Sequence, residues 1–363
     1  MTTPAFRQRW PWIGPDLQTL RDTLRPECLP PERAFPLQVP VTAGDQLLAL
    51  VDPASSPGGA LGLVVLVHGL GGDSGRLGVR RLALHLQQVG FRVWRLNLRG
   101  AGPGRPLARG TYAAACTADL LPVLERAREA AAGLPLLGVG LSLGGTVLLN
   151  ALREQPDGLD ALACVSSPLE LAASSLQIER PRNRLYARWL LRRLVAQTLA
   201  DPFGLQPRER LLLEGPQRPR SIRAFDAAVT APRWGYDGVD HYYAAASPGP
   251  QLQAAGRGQA SLGPWPPTLL VHALDDPWVP AAQAQALAEA PPPGWDVLLS
   301  PRGGHNGFHA AAEGAAARPS LQPAPSWADR QVAGWLQSLL SEGRLKAPAS
   351  LPQSAEHQSR WHG

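Results

Sequence analysis

Short unbroken apolar runs alternate along this chain with longer stretches in which apolar residues recur every three or four positions. Leu61-Gly-Leu-Val-Val-Leu-Val67 is apolar throughout, which predicts a strand buried on both faces, as strands of a parallel sheet are. Ahead of it, Leu37 to Asp52 reads as two short strands around a turn at Thr42-Ala-Gly-Asp45. Behind it come helical spacing over Leu77 to Val89, a strand at Phe91 to Leu96 and a helix from about Tyr112 to Ala131. A strand at Leu136 to Val139, a helix through Val147 to Leu152 and a strand at Leu159 to Val165 follow. The rhythm then stops, and Pro168 to Pro264 holds only helical patches and joints rich in Pro and Gly. It resumes with a strand at Thr268 to Ala273, a helix through Ala281 to Ala290, a strand at Trp295 to Leu299 and a helix from Trp327 to Leu340.

Strands alternating with helices predict an α/β fold, a mostly parallel sheet with helices on both faces. The interruption predicts an inserted, mainly helical cap. The expected organisation is therefore an irregular arm over residues 1–36, rich in Pro, Arg and Trp, and a core built from 37–167 and 265–340. The cap spans 168–264, and 341–363 has the composition of a poorly ordered tail.

One junction carries chemistry. Gly140-Leu-Ser-Leu-Gly144 lies between the strand at Leu136 and the helix at Val147, the context of a nucleophile elbow in which a serine is held out on a tight turn at a helix N-terminus. Small residues two before and two after the serine are a steric requirement of that turn. A serine hydroxyl is a poor nucleophile at neutral pH and needs a base, an orienting acid and an oxyanion hole. In an α/β-hydrolase fold the acid and base follow in the order Ser, Asp, His on loops at strand ends. The strand ending at Ala273 runs into Leu274-Asp-Asp-Pro-Trp278, and the strand ending at Leu299 runs into Ser300-Pro-Arg-Gly-Gly-His-Asn-Gly307. Ser142, Asp276 and His305 are thus the expected triad.

Asp276 is preferred over Asp275, which is expected to bond loop backbone, and His305 over His309. His85 and His272 fall inside a helix and a strand and read as satisfied structural side chains, and His241 reads as a packing or substrate-lining residue among tyrosines. His357 and His362 belong to the tail. The oxyanion donors are expected at the backbone N–H groups of Leu143, after the nucleophile, and Leu70, in the loop Val67-His-Gly-Leu-Gly-Gly72. His68 and Asp73 also satisfy an H-x-x-x-x-D spacing like that of acyltransferases, although a turn accounts for both.

Composition narrows the partners. A length of 363 residues suits one large α/β domain with an insertion, and 44% hydrophobic with 18% charged residues is ordinary for a globular chain. The net charge of +6 comes almost wholly from arginine, Lys346 being the single lysine. Those arginines are not interleaved with a nucleic-acid motif, so no nucleic-acid partner is expected. Cys28, Cys116 and Cys164 are too few and too far apart for a disulfide framework or metal cluster. The N-terminus lacks an apolar core of the signal-peptide kind, and the apolar runs are too short to span a bilayer, which reads as a cytoplasmic protein. Over Arg180 to Val195, helical geometry puts Arg184, Arg188 and Arg192 on one face and Tyr186, Leu190 and Leu194 on another. Such a helix either packs its apolar face inward with solvated arginines or rests on an anionic membrane surface.

These segments together resemble the YheT branch of the α/β-hydrolase superfamily, which includes eukaryotic lipid hydrolases of the ABHD type and yeast medium-chain ester synthases. The matching residues are Leu17-Gln-Thr19, His68-Gly-Leu70, Asn97-Leu-Arg-Gly100, Gly140 to Gly145, Ser221-Ile-Arg-Ala-Phe-Asp226, Tyr242-Tyr243, Asp275-Asp-Pro277 and Gly303 to Phe308. The resemblance carries the triad onto Ser142, Asp276 and His305 and implies a serine hydrolase of carboxylic esters, with medium acyl chains or lipid esters as its small-molecule substrates. That chemistry requires neither metal nor organic cofactor. Acyl transfer to an alcohol and a silent binding module on the same scaffold are the alternatives. Haloalkane and epoxide chemistry is disfavoured because on this fold it uses an aspartate nucleophile. Leu141, Ala101 and Asn306 depart from the branch, where an aromatic, a cysteine and an apolar residue are usual, and Ala244 to Gly263 is longer than expected.

Overall fold

The computed structural model describes residues 5–54, 59–311 and 324–345. The expected tail beyond Leu345, with His357 and His362, lies outside the described residues. In chain order the core elements are α1 (Pro15–Leu24), β1 (Phe35–Pro40), β2 (Gln46–Asp52), β3 (Gly62–Val67), α2 (Leu77–Gln88), β4 (Phe91–Asn97), α3 (Thr117–Ala131), β5 (Leu136–Leu141), α4 (Leu143–Glu154) and β6 (Ala161–Val165). After the insertion come β7 (Thr268–Ala273), a helix at Ala282–Glu289, β8 (Trp295–Ser300) and a final helix at Trp327–Ser341. The strands form one sheet in the order β1-β2-β4-β3-β5-β6-β7-β8. Only β2 runs against its neighbours; β3 is parallel to β4 and β5, and every pair from β5 to β8 is parallel.

The pleat explains why β3 is apolar throughout. Leu63, Val65 and Val67 pack with α3 and α4 on one face, while Val64 and Leu66 pack with α2 and the final helix on the other. Each such side chain contributes about 1.5–3 kcal/mol by leaving water, so a polar residue at any of the five would be costly.

Between β6 and β7 the chain forms helices without strands: α5 (Leu171–Ile178), α6 (Arg184–Leu199), α7 (Pro207–Glu214), α8 (Ile222–Phe225), a π-helical turn at Asp226–Thr230, α9 (Ala231–Arg233), α10 (Val239–Ala246) and α11 (Gly249–Gly256). The long segment Ala244 to Gly263 is thus largely α11 and its flanks. No helix among the described residues is long and apolar enough to cross a membrane.

The arm differs from expectation. It contains α1, started by Pro15 at its first position with Asp16 in its first turn. The buried residues of α1 are Gln18 and Arg21, so apolar periodicity could not reveal it. The helix expected from Tyr112 starts at Thr117, because Tyr112, Ala113 and Ala114 are buried as irregular chain. Tyr242 Oη accepts from the Ala114 N–H there, at 2.9 Å, which meets a buried backbone donor outside regular structure.

Several arginines also lie inside. Arg95, 2% exposed, donates to both oxygens of Asp52 (2.6 and 3.0 Å) and to Glu32 (2.7 Å). Arg99 forks onto Asp119 (2.7 and 2.6 Å) and reaches Asp45. Arg81 joins Asp22 of α1 (2.6 Å) to Asp329 of the final helix (2.9 Å). Removing one partner from such a buried pair costs about 3–5 kcal/mol, so Arg81 pins α1 to the core.

This junction is acid-sensitive. Burial, with Arg81 and Arg21 close by, pushes the His309 imidazole down to about 3 against the pull of Asp22. Burial works to raise Asp22, but Arg81, His309 and Arg21 outweigh it and hold the carboxyl at about 2. Both groups bind fewer protons folded than unfolded, so the stability they confer is present at neutral pH. It is lost as pH falls, first through His309 below its unfolded value and then through Asp22. Acidifying from neutrality to pH 5 should therefore cost on the order of 2 kcal/mol through His309. Thermal melts against pH should show His309→Gln losing part of this dependence; a profile superposable on wild type would contradict the assignment.

Candidate active site

The site is assembled where β5, β7 and β8 end. Ser142 sits between β5 and α4 with φ 52° and ψ −126°, a conformation that costs a non-glycine residue about 1–3 kcal/mol and persists only when its surroundings over-determine it. They do: a Cβ on Gly140 would lie 2.2 Å from Gly145 Cα, and one on Gly144 would lie 2.2 Å from the Val67 carbonyl oxygen. The two flanking glycines are therefore set by contact between the turn, α4 and the end of β3.

His305 lies between the other two predicted residues. Its Nδ1 is 2.9 Å from Asp276 Oδ2, and its Nε2 is 2.9 Å from Ser142 Oγ. Asp276 is buried, which works to raise its carboxyl, yet the adjacent His305 imidazole, through its electrostatic pull and its hydrogen bond, holds it below the ordinary carboxylate range. Its Oδ1 accepts from the N–H groups of Trp278 (2.8 Å) and Val279 (3.0 Å). An ionised Asp276 requires the proton on Nδ1, which leaves the Nε2 lone pair to accept from the Ser142 hydroxyl. Trp278 stacks on the imidazole at 4.5 Å and 27°.

Three further contacts hold the histidine loop. Asp275 Oδ1 accepts from Gly304 N–H (2.9 Å), Thr19 Oγ1 of α1 accepts from His305 N–H (2.9 Å), and Ser166 Oγ accepts from Asn306 N–H (3.2 Å). Gln18 clasps the next residues, taking the His309 N–H on Oε1 (2.7 Å) and donating from Nε2 to the His309 carbonyl (3.1 Å). A Cβ on Gly304 would come within 2.4 Å of the Pro15 carbonyl oxygen, so the glycine admits α1. Asn306 has φ 54°, a region that asparagine tolerates and a β-branched residue does not.

Leu143 is the first residue of α4, where a backbone N–H has no acceptor within its own helix. Leu70 lies in the loop after β3, fixed by Tyr112, whose Oη accepts from the neighbouring Gly71 N–H at 2.6 Å. Gln18 and Thr19 stood out in the sequence only as part of the segment Leu17-Gln-Thr19 shared with the family, without a position, and nothing singled out Tyr112. His68 is occupied: Nδ1 bonds the Gly69 carbonyl (2.8 Å), Nε2 accepts from Leu98 N–H (3.2 Å), and burial lowers the imidazole to about 4. Such a ring is not available as the base of an acyltransferase motif. His241 is half-exposed beside Asp237 and Tyr236. His272 is buried in β7, and desolvation lowers its imidazole.

Beside Ser142 and His305 lies a cavity of about 910 Å³ reached by Leu70 and Leu143 and walled by the insertion together with α1 and the strand-end loops, with Ile178, Tyr186, Leu190, Leu194, Ile222 and Phe225 along it. That volume falls in the range of small-molecule sites.

A mostly parallel sheet with a serine at a strand-to-helix turn and a histidine loop at the same sheet edge is the architecture of the α/β hydrolases. A family profile for the alpha/beta hydrolase fold matches residues 62–312, and the chain belongs to that family. Phospholipase ABHD3 of Mus musculus is 30% identical over 251 residues, 68% of this chain and 58% of that protein. Putative esterase YheT of Escherichia coli is 29% identical over 282 residues, covering 76% of this chain and 77% of its own. Medium-chain fatty acid ethyl ester synthase/esterase 2 of Saccharomyces cerevisiae is 29% identical over 259 residues, covering 64% and 55%. The chain thus spans less than two thirds of the length of the mouse and yeast relatives. Among solved structures, a soluble variant of monoglyceride lipase from Saccharomyces cerevisiae superposes with a TM-score of 0.54 at 18% identity, over 87% of this chain and 98% of that one, a likeness of fold.

If α1 positions His305, Thr19→Val should slow covalent labelling of Ser142 by a fluorophosphonate roughly fivefold, the worth of one hydrogen bond, while the protein stays folded. A labelling rate equal to wild type would show that the clasp is not needed.

Proposed function

We propose that this protein hydrolyses carboxylic esters through an acyl-enzyme on Ser142. The observation that carries the reading is the unbroken hydrogen-bonded series Asp276, His305, Ser142, with 2.9 Å at both joints, on the wall of a largely apolar cavity. His305 Nε2 takes the hydroxyl proton as Ser142 Oγ bonds the acyl carbon, and the carbonyl electron pair moves onto oxygen. The N–H groups of Leu70 and Leu143 stabilise that oxyanion, a donor being worth about 2.7–4 kcal/mol in such a site. Collapse breaks the ester C–O bond, and the alcohol leaves with the proton from His305. Water then adds to the acyl carbon with His305 again as base, releasing the acid. Asp276 stays ionised and holds the productive tautomer.

We read the insertion as a cap. Its apolar lining suits an acyl chain of medium length, in keeping with relatives named phospholipase and medium-chain ester synthase/esterase. Ser142→Ala should lower ester turnover by at least about 1,000-fold, measured over a panel of graded acyl lengths, and should abolish fluorophosphonate labelling. Turnover by the variant at the wild-type rate would defeat the mechanism, and failure of the folded wild type to label would favour a silent binding module. The name of the yeast relative keeps acyl transfer in view; ethyl esters formed from the acyl-enzyme in added ethanol separate transfer from hydrolysis.

The outer face of α6 supports a membrane-facing reading of the cap. Tyr186, Leu190 and Leu194 are buried, Arg184, Arg188 and Arg192 are exposed, and Leu185 (77% exposed) and Trp189 (42%) lie at the cavity mouth. Each arginine near an anionic lipid surface contributes about 1 kcal/mol. Replacing Arg184, Arg188 and Arg192 with serine should weaken co-sedimentation with anionic liposomes roughly 100-fold. Co-sedimentation unaltered by the triple replacement would leave α6 simply a packed helix with solvated arginines.

A further inference from the structure

One part of the cavity wall is not apolar. Asp226 in the π-helical turn, Thr230 at its end, Tyr243 of α10 and Ser175 of α5 all line the cavity. Thr230 Oγ1 donates to Asp226 Oδ1 at 2.7 Å, and Tyr243 Oη donates to Oδ2 at 2.8 Å, with Ser175 Oγ 3.3 Å from the same phenol. A carboxylate oxygen offers two lone-pair directions, so one on each oxygen is left after these bonds.

The position of Asp226 argues against a purely structural part. The neighbours that act on it are the two hydroxyls and Glu179, and none is cationic. Arg223, three residues earlier, lies over the Tyr243 ring at 5.7 Å and bonds Asp240 at 2.6 Å instead. Burial accordingly pushes the Asp226 carboxyl up to about 6, against the pull of Thr230 and Tyr243. Asp226 nevertheless keeps part of its surface accessible, while Phe225 and Val229 beside it are sealed. An acid without a counter-ion in an apolar wall opposes folding, and an aliphatic residue there would extend the surface for an acyl chain. π-helical turns are frequent at functional sites, and this one begins at Asp226.

We infer that Asp226, with Tyr243 and Thr230, forms a subsite that accepts a hydrogen bond from a hydroxyl group borne by the substrate's apolar chain. Ester hydrolysis at Ser142 is assumed in naming the ligand a substrate; the subsite itself is tested by binding. A charge-assisted bond to a hydroxyl in a desolvated site distinguishes hydroxylated from plain chains by roughly 10- to 100-fold. The hydroxyl can stand on the acyl or the alcohol side, and the recognition chemistry is the same.

The test uses full-length Ser142→Ala protein, which holds esters without consuming them, and calorimetric binding of two matched pairs. These are methyl octanoate against methyl 8-hydroxyoctanoate, and octyl butyrate against 8-hydroxyoctyl butyrate. Tighter binding of the hydroxylated member by roughly tenfold or more in one pair supports the subsite and identifies the side. Adding Asp226→Leu should bring that ratio near one. Equal binding within both pairs, or a preference that survives Asp226→Leu, overturns the inference. If Asp226→Leu does not fold, the ratios of the Ser142→Ala protein decide alone. Wild-type turnover of the same esters, followed separately, tells failure of the subsite from failure of the hydrolase reading.

Discussion

The site depends on holding one imidazole between two side chains that arrive from different strands. Ser142 is fixed by its turn and Asp276 by two backbone N–H groups, but His305 lies on a loop after β8 with no regular structure of its own. A displacement of about 1 Å from productive geometry can cost two orders of magnitude in rate. The loop is therefore fastened from three directions: Asp275 from the β7 end, Ser166 from the β6 end and Thr19 from α1. Trp278 against the ring face limits its rotation. Arg81 in turn fixes α1 through Asp22, so an ion pair between two helices bears on the placement of an imidazole it never touches.

Much of this was legible in the chain. β7 spans the residues expected of it, and β3 differs by one residue, because strands buried on both faces leave continuous apolar runs that few other structures produce. Ser142, Asp276 and His305 could be nominated from order and strand-end placement, since the sheet topology forces strand ends to one edge. α1 was not legible, because the residues it buries are Gln18 and Arg21 and its partners are backbone groups nearly 300 positions away. The role of Asn306 was hidden for a related reason: a positive φ leaves no periodic trace, and an asparagine in place of an apolar residue looks like a change of polarity. Asp226 could be seen as part of a family-like segment, but its facing Tyr243 and the cavity is a property of packing between helices.

Arginine usage also changes meaning once the fold is known. In the chain it reads as compositional bias. That bias does not account for Arg81, Arg95 and Arg99, whose planar forks each join segments distant in sequence through carboxylates. Lysine, a point charge with a strongly hydrated head, would not satisfy two carboxylates in fixed directions.

The bonds from α1 to the histidine loop also set an order of events. Thr19 and His305 are separated by 286 positions, and Gln18 and His309 by 291. During synthesis the arm leaves the ribosome well before the loop it must grip, so the serine turn can be complete while His305 is still unsecured. Contacts of such separation reward the chain only after most loop-closure entropy has been spent. The arrangement around His305 is in this sense a late property of the folding chain: sheet and elbow can form early, and the loop is secured when segments nearly 300 positions apart meet.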